Sequence, residues 1–394
     1  MVVLFVTPYL SGRRENLVGG GLEVYLLRVT KALKKMGHTP IILSLGKKET
    51  HYIQDDIERF FVQCPETNLI KGNLKFRLIL ERICQSMVIN KKIAELSRER
   101  RIDLIQFPSP YSLALCYYGK TPAVMRMSSY SKIYNNYEDY EKVSIETWAL
   151  CERLAAKRCN AVFAPSNVIA KAFSEDIYRP VTVIESPFYN DCESYNQEIY
   201  QAELSDKKYF LFFGRMVADK GILVIAECLY SFLEMHQDYY FVCCGEDNII
   251  NGESAEHILR KAAGIYERRF VYMKPLTHEA LYPIIQHADF VVFPSLIENL
   301  SNAFIEAMYF KRVVIGTDGA SYEQLIDDGV NGLLCKPKDP VGLLAKMNEA
   351  AAMNEVQKTE LGEKARKRID KLQPEKVVKK LLKYYQWVIE NTSR

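Results

Sequence analysis

Short apolar runs separated by longer helical patterns organise the sequence. Each run is continuous rather than alternating, which is typical of strands in a parallel sheet that is covered on both faces. A first series of runs lies at Val2–Val6, Pro40–Ser44, Leu104–Phe107, Ala123–Arg126, Ala161–Ala164 and Val181–Ile184. A second series lies at Tyr209–Phe213, Tyr240–Cys244, Arg269–Met273, Phe290–Phe293 and Val313–Thr317. The pattern therefore predicts two doubly wound α/β domains.

The length of the chain agrees with two domains. The chain has 394 residues, so each of two domains is large enough to bury a core of its own. The stretch "FYNDCESYNQEIYQAELSDKK" between the two series is polar and irregular, which is typical of a linker. We therefore predict domains at residues 1–190 and 205–370, joined by a linker at residues 191–204.

Composition excludes several classes of protein. The 52 Lys and Arg residues nearly balance the 49 Asp and Glu residues, and the net charge of +3 gives no basic field for a nucleic-acid partner. The ten cysteines have neither Cys-x-x-Cys nor zinc-site spacing, as expected for reduced thiols. The opening "MVVLFVTPYL" lacks a basic region and is better suited to a first strand than to a signal peptide. We expect a cytoplasmic protein.

Residues 71–101, "KGNLKFRLILERICQSMVINKKIAELSRERR", form the one unusual segment. The pattern is helical, with nine basic residues against three acidic ones. Its apolar positions lie roughly on one side, at Phe76, Ile79, Leu80, Ile83, Met87, Ile93 and Leu96. A basic amphipathic helix of this kind binds anionic lipid, which predicts peripheral attachment to the inner face of the membrane. The alternative is a domain helix with a solvated charged face.

A glycine-rich turn precedes the first helical pattern. Gly19, Gly20 and Gly21 follow the first predicted strand and enter a helix with the apolar positions Leu22, Tyr25, Leu26, Val29, Leu33 and Met36. Glycines there allow the backbone to approach a ligand, and a helix N-terminus favours negative charge. A simple tight turn explains the same residues.

Two basic residues follow the first strand of the second series. In "YFLFFGRMVADKGI" the strand ends at Gly214, which leaves Arg215 and Lys220 at the carboxyl edge of the sheet, where ligands bind in such folds. An Arg fork with a mobile Lys charge suits a diphosphate. The alternative is a surface ion pair between these residues and Asp219.

Two acidic residues follow a later strand. In "FVVFPSLIENLSNAFIEAMYF" the strand ends at Pro294 and a helix is predicted to begin near Ser301, a good N-cap. Glu298 then lies in the loop and Glu306 in the helix, so that both face one crevice. Carboxylates are good acceptors for sugar hydroxyls, and the amides at the helix start suit anionic oxygens. The alternative is a capping acid with a solvated helix acid.

The ordered set of motifs resembles the retaining, GT-B-type nucleotide-sugar glycosyltransferases of family 4. The resemblance covers nearly the whole chain: Gly-Gly-x-Glu at Gly20 to Glu23, "ERLAAKRCNAVFAPS", Gly214-Arg215 with Lys220-Gly221, the pair Glu298 and Glu306, and "GTDGASYEQLIDDGVNGLLCKPKD". It implies two facing Rossmann-like domains with a deep cleft between them. Residues 371–394 resemble the helix that crosses back to the N-terminal domain, with Trp387 as a packing residue.

The resemblance implies roles for single residues. Arg215 and Lys220 would hold the donor diphosphate, Glu306 the ribose, and Glu298 a hydroxyl of the transferred sugar. The implied catalytic residues are Arg215, Lys220 and Glu298, and the implied donor-binding residues are Gly20, Gly21, Ser128, Gly214, Gly245, Asn299, Leu300, Ser301, Asn302 and Glu306. Because two bases stabilise the leaving diphosphate, we expect neither a cofactor nor a metal, and the chain has no Asp-x-Asp motif.

The chain departs from the family pattern at two places. Many members have a histidine where this chain has Ser128, and many have Phe-Gly where Leu300-Ser301 stands. The six histidines are assigned structural roles: His38, His51, His236, His257, His278 and His287. Both departures concern the identity of the donor sugar more than the activity.

The resemblance implies retaining transfer of a hexosyl group from a nucleoside-diphosphate sugar, with UDP as the most frequent nucleotide of the family. The expected acceptor is a glycan or a lipid-linked molecule in the synthesis of cell-surface polysaccharide or glycoconjugate. Two alternatives stay open. A non-catalytic partner subunit would have lost one of Arg215, Lys220 or Glu306, and a nucleotide-sugar epimerase of the same fold would carry acid and base side chains near the sugar.

Overall fold

The computed structural model describes residues 1–10, 20–63, 73–134, 142–190 and 192–392. The chain divides into two compact units. Unit 1 consists of Met1–Pro187 with Leu372–Arg394, and unit 2 of Phe188–Lys371. Unit 2 is thus one continuous segment of chain, whereas unit 1 is assembled from two.

Unit 1 contains an eight-stranded sheet. In chain order its strands are β1 (Val2–Thr7), β2 (Thr39–Gly46), β3 (Thr50–Gln54), β4 (Ile57–Gln63), β5 (Leu104–Pro108), β6 (Ala123–Arg126), β7 (Ala161–Ala164) and β8 (Val181–Val183). In space the order is β3-β4-β2-β1-β5-β6-β7-β8, and every neighbouring pair is parallel except β3 with β4. All six strands predicted in this half are present.

The antiparallel hairpin of β3 and β4 was not predicted. Its turn is formed by Asp55 and Asp56, whose φ angles of 53° and 57° lie in the left-handed region that tight hairpin turns require. Strand β3 alternates half-buried with exposed positions, at His51 and Ile53, so it lacks the continuous apolar run on which the prediction relied.

Five helices of unit 1 lie between its strands: α1 (Gly21–Lys35), α2 (Leu74–Glu99), α3 (Ser131–Tyr134), α4 (Lys142–Ala156) and α5 (Asn167–Ile177). In α2 the residues Ile89, Ile93 and Leu96 are buried, but Phe76 is 50% and Met87 is 58% exposed. The prediction of one apolar side for this segment is therefore only partly right. Lys71 and Gly72, at its start, lie outside the described residues.

Unit 2 contains a six-stranded sheet in which all pairings are parallel. Its strands are β9 (Lys208–Phe213), β10 (Tyr239–Cys244), β13 (Phe270–Met273), β14 (Phe290–Phe293), β15 (Val313–Thr317) and β16 (Leu333–Cys335). Between β10 and β13 in the chain, β11 (Ile249–Ile250) and β12 (Glu253–Ser254) form a small separate hairpin. The order is β13-β10-β9-β14-β15-β16. The five predicted strands are present, and the three-residue β16 was missed.

The helices of unit 2 are α6 (Glu198–Glu203), α7 (Ile222–Met235), α8 (Ala255–Ala263), α9 (His278–His287), α10 (Asn302–Tyr309), α11 (Pro340–Ala352) and α12 (Glu355–Ile369). Helix α6 lies in the segment that the sequence analysis described as irregular. The core under β9 is aromatic, because the ring of Phe210 stacks on Phe241 and Phe290 with centroids 4.7 and 5.3 Å apart.

The last helix, α13 (Pro374–Thr392), belongs to unit 1 and packs beside α1. Trp387 on this helix is 55% exposed, and its ring stacks on Tyr384 of the same helix, so it packs at the surface and not in the core. Within the described residues, no helix combines the length and the apolar character needed to cross a bilayer.

The sheet of unit 1 is covered on both faces by different helices. Along β1, Leu4 and Val6 pack in the cluster that includes α2, whereas Val3 and Phe5 pack in the cluster that includes α1 and α13. Because successive strand side chains point to opposite faces, α2 and α13 lie on opposite sides of the sheet. The predicted doubly wound architecture is confirmed for this unit.

Candidate functional site

Two glycines hold the ends of β9 and β10 together in unit 2. Gly214 follows β9 with a φ of +135°. Its amide donates to the carbonyl of Cys244 over 3.0 Å, and a Cβ on Gly245 would lie 1.8 Å from the Gly214 carbonyl oxygen. Only glycine fits at residue 245, so the two strand ends meet in one compact edge. Arg215 emerges from that edge with an exposed side chain and makes no ion pair with the described residues.

Lys220 ends a 3₁₀ turn, Ala218–Lys220, and is fixed by Gly221. The φ of Gly221 is +77°, and a Cβ there would lie 2.0 Å from the carbonyl oxygen of Pro294. The amide of Leu296 donates to the carbonyl of Asp219 over 2.7 Å. The turn after β9 is therefore fastened to the loop after β14, which is the loop that carries Glu298.

The ammonium of Lys220 lies 2.5 Å from Oε1 of Glu298. Their side chains are 19% and 11% exposed. The hydroxyl of Ser321 donates to the backbone carbonyl of Glu298 over 2.8 Å and holds the loop from its other side. Asp219, the alternative ion-pair partner, is buried, and its Oδ1 has no hydrogen-bond partner among the described residues. The predicted cation and the predicted carboxylate are therefore direct neighbours.

Helix α10 begins as predicted. Ser301 is its N-cap and accepts a hydrogen bond from the amide of Phe304 over 3.3 Å. Leu300, Ser301 and Asn302 are half-buried, whereas Asn299 is buried. The amides of the first helical turn lack carbonyl partners within the helix and carry its positive dipole end. This positive end begins three residues after Glu298.

Glu306 lies farther along α10 and is buried, with 5% of its surface exposed. Nε2 of His278 lies 3.6 Å from its Oε1, and the ring of His278 stacks on Tyr282. The sequence predicts a structural role for His278 and gives no indication of this pair. The signal that could have revealed it is position, because His278 begins α9 just after β13, at the same carboxyl edge of the sheet as Lys220.

In unit 1, Gly20 and Gly21 form the entry to α1, with Gly20 as the N-cap. The φ of Gly20 is −58°, and a Cβ there would meet no heavy atom of the described residues within 4 Å. The φ value does not require glycine at residue 20. Residues 11–19, which precede it, lie outside the described residues, so the alternative of a simple tight turn stays open.

Ser128 follows β6 and is half-buried. Its hydroxyl accepts a hydrogen bond from Nη1 of Arg126 over 2.7 Å, and its amide donates to the Oγ of Ser109 over 3.0 Å. Thus Gly20, Gly21 and Ser128 all lie in unit 1, whereas the other predicted site residues all lie in unit 2. No group of three His, Cys, Asp or Glu side chains in the described part of the chain is arranged to hold a metal ion.

Two family profiles match the chain, one in each unit. The profile described as Glycosyltransferase Family 4 matches residues 19–187, and the profile described as Glycosyl transferases group 1 matches residues 207–352. Alpha-D-kanosaminyltransferase of Streptomyces kanamyceticus is 26% identical over 211 residues, which cover 50% of this chain and 53% of that protein. The match thus spans about half the length of this relative.

Solved structures share the fold over nearly their whole length. Sucrose-phosphate synthase from Thermosynechococcus elongatus is similar with a TM-score of 0.77 and 16% identity, and 99% of each chain is covered. The Anabaena protein HepE, in complex with UDP and glucose, is similar with a TM-score of 0.69 and 16% identity, over 98% of this chain and 99% of that one. At these identities the similarity shows the fold: two α/β units with parallel sheets.

Proposed function

The chain belongs to the family 4 glycosyltransferases, which have the GT-B fold, and from this membership we propose that it transfers a hexosyl group from a nucleoside-diphosphate sugar. The transfer retains the anomeric configuration. The observation that supports this proposal best is the joint position of Arg215, Lys220 and Glu298 at one sheet edge of unit 2, beside the start of α10.

The donor diphosphate is proposed to bind Arg215 and Lys220. Arg215 is exposed and makes no ion pair with the described residues, so its fork of donors is available to phosphate oxygens. Lys220 has three N–H donors and uses one on Glu298, which leaves donors for a phosphate. The amides at the start of α10 add the positive end of the helix dipole.

Carboxylates are proposed to bind the hydroxyls of the donor. Glu298 would accept from a hydroxyl of the transferred sugar and Glu306 from the ribose, since both are buried acceptors near the proposed phosphate position. In unit 1, Gly20 and Gly21 are proposed to approach a phosphate of the donor, and Ser128 its sugar. A backbone without side chains at the N-terminus of α1 allows such an approach.

The proposed mechanism relies on electrostatic stabilisation. As the sugar becomes oxocarbenium-like, negative charge grows on the leaving diphosphate, and Arg215 with Lys220 stabilises that charge more in the transition state than in the ground state. No protein nucleophile is assigned, and the acceptor attacks from the same face while the leaving phosphate takes its proton. We propose that these two cations replace a metal ion.

UDP is the nucleotide we propose, because the HepE structure with this fold contains UDP and glucose. The proposed acceptor is a glycan or a lipid-linked molecule of cell-surface polysaccharide or glycoconjugate synthesis.

The partner-subunit alternative is disfavoured because Arg215, Lys220 and Glu306 are all present. An epimerase would place an acid and a base beside the sugar, and the proposed sugar position has only Glu298 assigned to it.

Contact with an anionic membrane is proposed for the exposed residues of α2. Arg82, Lys92, Arg100 and Arg101 are paired with carboxylates. Lys75, Arg77, Lys91 and Arg98 are exposed, together with the apolar side chains Leu74, Phe76 and Met87. Exposed apolar residues among basic ones suit a lipid interface.

Vesicle co-sedimentation tests this contact. The expected result is binding to phosphatidylcholine vesicles only when phosphatidylglycerol is included, and loss of binding in Lys75→Glu/Arg77→Glu. The matched control is Lys379→Glu/Lys380→Glu on α13, which is exposed on the opposite side of the sheet. Absence of binding at low salt, or equal loss in both double variants, would remove α2 as the membrane contact.

The transferase proposal is tested with the purified chain and a panel of donors: UDP-glucose, UDP-galactose, UDP-N-acetylhexosamines, GDP-mannose and dTDP-sugars. One donor is expected to raise the melting temperature and to release its nucleotide slowly without acceptor. If a folded protein binds none of the donors, the non-catalytic partner subunit becomes the better explanation. Retention is then read from the anomeric proton of the product by NMR.

A further inference from the structure

Arg126 is a buried cation at the carboxyl end of β6. Only 4% of its surface is exposed. Its Nη1 donates to the hydroxyl of Ser128 over 2.7 Å, and its Nη2 donates to the hydroxyl of Ser186 over 2.9 Å. The guanidinium carbon lies 3.7 Å from the centroid of the Tyr25 ring, in the first turns of α1. Three separate elements of unit 1 therefore meet at this one side chain.

No carboxylate among the described residues lies within 4.0 Å of this guanidinium. The group has five N–H donors, and its two hydrogen bonds use two of them. Nε is one of the buried atoms without a partner. Burial lowers the pKa of Arg126, but an arginine stays charged in proteins. Keeping a cation out of water without a counter-ion is costly, and an anionic partner normally relieves that cost.

The amide oxygen of Gln106, which accepts from the hydroxyl of Tyr25 beside this cluster, serves donors other than the guanidinium. Oε1 of Gln106 accepts from the hydroxyls of both Tyr25 and Tyr385, over 3.3 and 2.5 Å. It therefore satisfies two buried phenols rather than the guanidinium. The positive charge is left facing the two serines, which are half-buried and so reach the surface of unit 1.

The hydrogen bond of Ser186 indicates which kind of ligand would bind here. Because its oxygen accepts from Nη2 of Arg126, its own hydroxyl hydrogen is directed away from the guanidinium. A ligand that approaches this serine meets a donor backed by a positive charge. Anions are favoured in such a position, because hydrogen bonds from groups assisted by charge are the strong ones.

We infer that Arg126 and Ser186 form an anion subsite in unit 1, beside Ser128, that binds a carboxylate or a phosphate of the acceptor. The subsite rests on the proposed function only for the identity of the molecule that carries the anion. Two sources share this chemistry: the carboxylate of an acidic sugar and the phosphate of a phosphorylated acceptor. The subsite is separate in the chain from Arg215 and Lys220, which belong to unit 2.

The test uses the full chain carrying Arg215→Ala and Lys220→Ala, so that the proposed donor phosphates have lost their cations. Inorganic phosphate and glucuronate are titrated at constant ionic strength against chloride, and the melting temperature is followed. At least one anion is expected to stabilise the protein with a saturating curve. Arg126→Lys keeps the charge but loses the forked pair of N–H donors, and it is expected to weaken the binding of that anion about tenfold. Ser186→Ala keeps the arginine and removes one donor, so a smaller weakening is expected.

The outcomes distinguish a phosphorylated acceptor, an acidic sugar and a purely structural role for Arg126. Saturation by phosphate alone identifies a phosphorylated acceptor, and saturation by glucuronate alone identifies an acidic sugar. If neither anion saturates, or if folded Arg126→Lys and Ser186→Ala bind as the parent does, Arg126 only joins β6 to the segment after β8 and the inference is overturned. UDP binding to the unsubstituted chain is measured separately, so failure of the donor proposal is distinguished from failure of this subsite.

Discussion

Lys220 and Glu298 are joined over 2.5 Å although 78 positions of sequence separate them. The same distance joins Lys311 and Glu363, whose side chains are 46% and 47% exposed, whereas those of Lys220 and Glu298 are 19% and 11% exposed. These two ion pairs of unit 2 are thus equal in length and unequal in burial. The difference in burial decides how much each ion pair contributes to the free energy of unfolding.

Replacing Lys220 by alanine leaves the carboxylate of Glu298 buried without its partner. We expect the free energy of unfolding to fall by about 2 kcal/mol or more, because an unpaired buried charge is costly. Lys311→Ala, the matched control, should cost less than about 1 kcal/mol, as exposed pairs do. Urea unfolding measures both.

The double variant Lys220→Ala/Glu298→Gln separates charge from packing. It should be less destabilised than the sum of the two single variants, because removing both charges removes the uncompensated one. Additive effects would show that the two side chains contribute independently and that the ion pair has no energetic role.

Gly221→Ala should be strongly destabilising, since its φ is +77° and a Cβ would lie 2.0 Å from the Pro294 carbonyl oxygen. Gly252→Ala is the control for backbone strain, with a φ of +86° and no heavy atom of the described residues within 4 Å. We expect a loss of about 1 kcal/mol for the control and roughly 3 kcal/mol or more for Gly221→Ala. Equal losses in the melting curves would mean that the contact with Pro294 is unimportant.

Arg215→Ala should abolish most turnover and leave the fold intact, because the side chain is exposed and makes no ion pair with the described residues. We expect kcat/KM for the accepted donor to fall by about a hundredfold or more, as for other groups that stabilise transition-state charge. Arg268→Ala replaces another exposed arginine of unit 2 and should leave the rate unchanged. Full activity of both Arg215→Ala and Glu306→Ala would refute the site.

Glu152 predicts a pH dependence of stability in unit 1. Burial raises the pKa of its carboxyl to about 8, and it accepts hydrogen bonds from the amide and the hydroxyl of Ser131 over 3.1 and 3.0 Å. Between pH 4.5, the ordinary pKa of a glutamate, and pH 8 the folded chain keeps a proton that the unfolded chain has released. The contribution of Glu152 to the free energy of unfolding therefore falls as the pH rises through this range and is constant above it.

Glu152→Gln imitates the protonated carboxyl at every pH. The variant should lose the decline in stability between pH 4.5 and about 8 that the parent shows. Urea unfolding across this range compares the two slopes. Identical slopes would show that Glu152 is already ionised in the folded chain at neutral pH.

Continuous apolar runs made most of the two sheets predictable. Runs such as Phe290–Phe293 are buried on both faces, and their signal does not depend on a partner. The edge strand β3 escaped detection because two of its five residues are exposed and interrupt any apolar run, and β16 is too short to form a pattern. Short-range capping was predictable as well, since the role of Ser301 depends on residues only three positions away.

The contacts between distant residues could not be predicted. The motif around Lys220 suggested Asp219 as its nearest acid, yet the fold buries Asp219 and brings Glu298 to the lysine. His278 was dismissed for a similar reason, because nothing adjacent in sequence indicates Glu306 as its partner. Tertiary topology, and not local pattern, selects these pairs.

Because α13 belongs to unit 1, unit 2 can complete its core before unit 1 does during synthesis of the chain. Val377, Leu381 and Tyr385 cover, together with α1, the face of β1 that holds Val3 and Phe5, so this face lacks part of its cover until the residues after unit 2 have been synthesised. Unit 2 is continuous and has all its residues earlier. During translation the nascent chain therefore exposes an apolar sheet face to chaperones while its second unit is already able to fold.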